Sequence, residues 1–231
     1  MTEDGTEIMD RYADLKSFVA EWHRPIGPGD GNTESEIVEA EARLGFRLPE
    51  VLRELYALIG NAEDITRGHN RLVYLRDLIV EDKWLVVWEE NQCVTVMAIQ
   101  MDDLTGEDPP VYTLNGDLSR TGWEPEYLPL TECALDMLAY EVLMASEWLA
   151  VDVMLEGASE TLDAKPFFRT KAKPTPYGVL NDSDYFYLDE VLLYSPGSIE
   201  EQIVAKTRDD LLAVMARYEG MCWSYTSLDD E

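Results

Sequence analysis

Glu36-Ile37-Val38-Glu39-Ala40-Glu41-Ala42-Arg43-Leu44-Gly45-Phe46-Arg47-Leu48-Pro49 is the stretch on which the fold turns. Ile37, Ala40 and Leu44 recur at spacings of three and four, one face of a helix, and Gly45 falls where a left-handed C-cap is wanted. Thr33 stands three residues before Glu36, so each side chain can reach the other's free backbone amide in a capping box. Pro49 suits the first position of a following helix, whose apolar face is Leu52, Leu55, Tyr56 and Ile59 and which Gly60 closes.

Upstream, Ile8, Tyr12, Leu15, Val19 and Trp22 place another helix over Glu7 to Trp22. It must stop at the proline- and glycine-rich run from Pro25 to Gly31. Downstream of Asn70 the pattern shifts to short runs rich in Val, Ile, Trp and Tyr, at Leu72–Leu75, Trp84–Trp88, Val94–Ile99 and Val111–Leu114. These read as strands. Glu89 to Gln92 has hairpin length and Asn115-Gly116 signals a tight turn. Gaps this short hold no crossover helices, which makes the pairing antiparallel. Helical spacing returns from Thr131 to about Leu155, predicting a long helix across the sheet. Beyond Gly157, Tyr185–Tyr194 reads as one or two strands and Thr207–Tyr218 as a helix capped by Thr207. The expectation is an α+β fold with N-terminal helices and a long C-terminal helix on an antiparallel sheet, residues 1–156, and an extension, 157–231, packed on the same core.

Composition narrows the function. The 231 residues hold 47 acids against 18 bases, a formal net charge of −29, with 46% hydrophobic residues, six Trp and twelve Tyr. Such a chain can bury a core, but its field repels nucleic acid and anionic lipid and favours a basic partner. No apolar run approaches the length of a membrane span. Cys93, Cys133 and Cys222, odd in number and without a CxxC, fit reduced thiols in a cytoplasm, and the acidic N-terminus shows no secretory signal. His23 and His69 lack metal-ligand spacing, no nucleophile elbow or phosphate loop occurs, and 47 acids make a chance carboxylate pair worthless as a glycosidase signal. The expectation is therefore no catalytic residue, no metal and no cofactor. The basic stretch Lys165–Lys173 interleaves charge with aromatics, but the surrounding acidity makes a loop held to neighbouring carboxylates the better reading.

The motif Glu41-x-x-Leu44-Gly45, then Leu48-Pro49, Tyr56 and Gly60, resembles the opening signature of the SUKH superfamily. Glu90-Asn91-Gln92 between strands and Pro109-Pro110-Val111 opening another strengthen the likeness, which runs from roughly Met9 to Glu147. The resemblance implies a single α+β domain. Many bacterial members are immunity proteins that neutralise a cognate toxin, often a nuclease, while others are regulatory scaffolds that bind an endogenous partner. Under the first reading the partner is a toxin with a basic surface, and Glu81, Asp82, Glu89, Glu90, Asp102, Asp103, Glu107 and Asp108, set mostly in strand connections against the single base Lys83, form a negative rim. Trp88 and Trp123 stand beside these connections as candidate anchors, with the packed core as the competing place for an indole.

Overall fold

The structure, a computed structural model, describes residues 10–92, 95–115, 124–153, 173–174, 183–188, 191–196, 200–217 and 223–230. Four helices lead to the first sheet: α1 (Ala13–Trp22), α2 (Glu34–Leu44), α3 (Glu50–Ile59) and the single turn α4 (Glu63–Thr66). The capping box at α2 is complete. Glu36 N–H donates to Thr33 Oγ1 at 3.3 Å, and Thr33 N–H donates to the Glu36 carboxylate at 2.7 Å. Gly45 ends the helix at φ 83°, a left-handed conformation that costs any residue with a Cβ. Pro49 takes the N-cap of α3 rather than its first turn, a one-residue difference.

The motif residues turn out to be braces. Glu41 accepts the Leu48 N–H at 2.9 Å and pairs with Arg53 at 2.6 Å, so one carboxylate fixes both the α2–α3 turn and the helix that follows it. Arg53 is buried and also engages Glu34. Leu52, Leu55, Tyr56 and Ile59 are buried as the spacing requires, and the buried Tyr56 hydroxyl donates to Val73 O at 2.6 Å. Leu44 is only half-buried, whereas Leu48 fills the core.

The first sheet contains β1 (Arg71–Leu72), β2 (Val80–Glu81), β3 (Trp84–Glu89), β4 (Thr95–Gln100), β5 (Pro110–Asn115) and β6 (Glu124–Pro129). Its order is β1-β3-β4-β5-β6, with β2 paired to β3 beside that path, and every pair is antiparallel. Leu85 and Val87 on β3, Ile99 on β4 and Val111 on β5 are buried. The fold class is α+β, as expected. The following helix, α5 (Leu130–Met144), begins directly after β6, and Asp108 accepts both the N–H and the hydroxyl of Thr131 in its first turn.

That helix is shorter than its sequence suggests. Instead of continuing to about Leu155, the chain turns at Ala145–Glu147 and enters β7 (Trp148–Val153). β7 pairs on one side with β11 (Glu200–Ala205) and on the other with β12 (Trp223–Thr226), so its backbone donors and acceptors are claimed by strands far along the chain. The second sheet runs β12-β7-β11-β10-β9-β8, with β8 (Lys173–Pro174), β9 (Ser183–Leu188) and β10 (Val191–Pro196). Its helix α6 (Arg208–Arg217) has the expected cap: Asp210 N–H donates to Thr207 Oγ1 at 3.2 Å. Ala150, Val191, Ile203, Leu211 and Val214 form its core, with Trp148, Met215, Trp223 and Leu228 against them. The chain divides into two compact units, residues 1–141 and 142–231. The division falls earlier than Gly157 because β7 belongs to the second sheet. Of the basic stretch, only Lys173 lies within the described residues, at the start of β8.

Candidate functional site

Antiparallel order decides which acidic connections meet. At one end of the first sheet lie the end of β3 and the start of β4, where Glu89 pairs with Val96, together with the end of β5, where Asn115 pairs with Thr95. At the other end Trp84 pairs with Gln100 and Pro110 with Pro129. Strands of this length, at about 3.3 Å per residue, separate the two ends by about 17 Å. The single rim expected over Glu81–Asp108 is therefore two groups. Glu89 and Glu90 lie at one end, with Glu89 paired to Arg71 at 2.7 Å. Glu81, Asp82, Asp102, Asp103, Glu107 and Asp108 lie at the other.

This second end has a built centre. Glu81 pairs with Trp84 and Val80 with Leu85, leaving Asp82-Lys83 as a two-residue turn with Asp82 at φ 55°, the left-handed backbone of tight hairpins. Trp84 lies opposite Gln100 and Tyr112 opposite Ala98, so both rings project on the same face across β4. The rings meet edge-on, 5.0 Å between centroids and 62° between planes, a favoured aromatic geometry. Lys83 Nζ stands 5.4 Å from the Trp84 ring centroid, and the Tyr112 hydroxyl donates to Asp103 Oδ2 at 3.1 Å. Partial burial, then the Asp103 carboxylate, push the Tyr112 phenol up from its ordinary value. Met101 N–H donates to Lys83 O at 2.9 Å, tying the two connections together. At this end of the sheet Asp82 and Asp102 are exposed, Glu107 bridges to Arg11 while 87% of its side chain faces solvent, and Asp108 is spent on the start of α5.

Trp88 is 4% exposed, a core residue and no surface anchor. Trp123 lies outside the described residues. The half-buried indole beside this acidic end is Trp84, which the sequence reading passed over because Trp88 adjoins Glu89-Glu90. Its position directly after a two-residue acidic-basic turn was the available signal.

Residues 31–143 match the SMI1 / KNR4 family (SUKH-1). This segment belongs to that family. The SUKH domain spans just under half the chain and contains α2 to α5 and the whole first sheet. No curated protein and no solved structure matches the chain.

Most of the described cations within and beside the SUKH domain are turned on the protein's own groups. Arg24 holds Asp30 at 2.7 Å and Asp64 at 2.6 Å, which keeps both carboxyls below their usual range. Arg43 donates to the carbonyls of Leu75 and Leu78, Arg53 is buried on Glu34 and Glu41, and Arg67 and Arg76 stack on Tyr74. His23 pairs with Asp64 at 2.9 Å, and the His69 ring contacts the Asn91 side-chain amide and the edge of Tyr140. Among the described residues no group of three or more His, Cys, Asp or Glu side chains is placed to hold a metal, and no helix is long and apolar enough to cross a membrane. A cavity of about 460 Å³ beside α2 is lined by Glu36, Glu39, Arg43, Tyr74 and Arg76, charged walls of both signs unlike the mostly apolar lining of small-molecule sites.

A buried carboxylate escaped the sequence reading altogether. Glu141 on α5 is 1% exposed and accepts the backbone N–H of His69 at 2.5 Å and of Asn70 at 2.7 Å. Asn91 N–H in turn donates to Asn70 Oδ1 at 3.3 Å, so this carboxylate anchors the loop that supports the β3–β4 hairpin. Burial pushes the Glu141 carboxyl up, and the amides of His69 and Asn70 pull it down by a lesser amount.

Proposed function

We propose that this chain is a cytoplasmic immunity protein that neutralises a cognate toxin by stoichiometric binding, with no catalytic step. Family membership supports a protein-binding role. The observation that carries the reading further is the end of the first sheet formed by β3–β5, where exposed Asp82 and Asp102 lie on the connections that flank the half-buried Trp84–Tyr112 pair and Glu107 lies on the same β4–β5 connection, while most described cations of the domain are engaged by its own carboxylates and carbonyls. A nuclease is basic where it holds phosphates, so an acidic inhibitor is steered to that surface and can occlude it. The aromatic pair supplies the anchor that charge alone does not.

The test co-expresses the chain with toxin domains encoded beside its gene. Growth protection and a 1:1 complex are expected. Replacing Asp82 and Asp102 with Asn and Glu107 with Gln should lower the association rate more than it raises dissociation, because rim charges govern encounter. The difference should fade as salt rises, since the Debye length falls from about 30 Å at 0.01 M to about 10 Å at 0.1 M. Absence of protection refutes the immunity role. An association rate indifferent to both salt and the triple substitution removes the acidic end from the mechanism.

A further inference from the structure

The Trp84–Tyr112 pair presents more than apolar area. Its two rings meet edge-on at 5.0 Å, each half-buried so that the pair is held by the sheet yet reachable from solvent. A carboxylate is fixed at its border, because the Tyr112 hydroxyl donates to Asp103 Oδ2. A cation already stands on it: Lys83 Nζ, 5.4 Å from the Trp84 centroid, close to the limit of about 6 Å within which a ring attracts a positive charge. The Lys83 side chain is exposed and makes no ion pair among the described residues, so little holds it in place.

We propose that this site receives one arginine side chain of the protein partner, with Lys83 as the internal cation that it displaces. The inference rests on the partner-binding reading above and names the group recognised. A guanidinium is planar, so it can lie on the indole face and at the same time donate in its own plane to a carboxylate such as Asp103. An ammonium is a compact, strongly hydrated charge that stacks less well. Asp82 and Asp102, exposed on the neighbouring connections, favour the cation's approach. The same chemistry rejects acidic and neutral polar side chains, which gain nothing from the ring face and are repelled by, or indifferent to, the carboxylates.

The test needs no toxin. The full chain, labelled with ¹⁵N, is titrated with acetyl-Gly-Arg-Gly-amide and with the lysine and citrulline analogues, following the Trp84 indole resonance, which is assigned by its loss in Trp84→Phe. The arginine peptide is expected to shift that resonance saturably, the lysine peptide to bind about two- to fivefold more weakly, and the neutral citrulline peptide to leave it unmoved. Lys83→Ala should tighten arginine binding by about two- to fivefold by removing the competing ammonium, and Asp103→Asn should weaken it. A resonance unmoved by arginine in the folded chain, an equal response to citrulline, or an affinity unaltered by Lys83→Ala overturns the proposal. Arginine binding at Trp84 without toxin protection leaves this inference standing and defeats the immunity role. A bound toxin that leaves Trp84 unmoved does the reverse.

Discussion

Replacing Glu141 should loosen the first unit from the inside. Both carboxylate oxygens are in use, Oε2 on His69 N–H and Oε1 on Asn70 N–H, and the residue is buried. Glu141→Ala strips two N–H groups of their acceptor, each a loss of about 1–3 kcal/mol when the group stays buried. Relief of the desolvation that raises the Glu141 carboxyl offsets part of this, which leaves a net loss of about 2–4 kcal/mol. Glu141→Gln keeps the shape but only one oxygen, and its NH₂ would face the second backbone donor, so glutamine should recover less than half of the loss. The pH dependence follows from the sign. A carboxyl raised in the folded state contributes stability that is fully present below its unfolded value and lost as pH rises through the folded one. Glu141→Gln should remove that decline from the window just above the ordinary carboxylate range. Because the chain has two units, a single two-state transition is not assumed. Hydrogen exchange at the His69 and Asn70 amides therefore accompanies urea unfolding followed by fluorescence. Unchanged protection at both amides together with an unmoved midpoint in Glu141→Ala would refute the reasoning.

Two glycines should respond differently to alanine. A Cβ on Gly31 would lie 1.7 Å from the Ala57 carbonyl oxygen, in the backbone of α3, so Gly31→Ala should cost about 3 kcal/mol. Gly45 has open space but φ 83°, and Gly45→Ala should cost about 1–2 kcal/mol; equal losses in urea titrations would contradict the contrast. Leu48→Ala, at a site 2% exposed, should cost about 2–5 kcal/mol, and Leu44→Ala less than half as much because that side chain is already half-solvated. Arg24 holds Asp30 and Asp64 below their usual range, so its network stabilises the fold above that range and ceases to do so as pH falls through the lowered values. Arg24→Ala should thus shrink the drop in Tm between about pH 7 and about pH 3; a drop as large as in the wild type would show that the network is immaterial to acid stability.

The features legible in the sequence are those closed within a few residues of themselves. Thr33 and Glu36 form their box across three positions, Gly45 caps the helix it follows, Thr207 caps α6, and the short gaps between strands compel antiparallel pairing whatever else surrounds them. The Glu41-x-x-Leu44-Gly45 signature is local in the same sense, and its likeness to the SUKH superfamily agrees with the family match. What tertiary structure alone decided are matters of distant partners. Trp148–Val153 has the apolar content of a helix or a strand, and only the donors and acceptors of β11 and β12 make it a strand. The acids between Glu81 and Asp108 look like one cluster in one dimension, yet each six-residue strand carries the next connection to the opposite end of the sheet. Trp84 and Trp88 are equivalent as letters. A bulge between Val86 and Trp88 breaks the alternation along β3, and the packing around each ring, not its sequence neighbours, buries one and leaves the other half in solvent. Glu141 offers no signal at all, since a carboxylate in a helix reads as a solvated face until the amides of a loop some 70 residues earlier close on it.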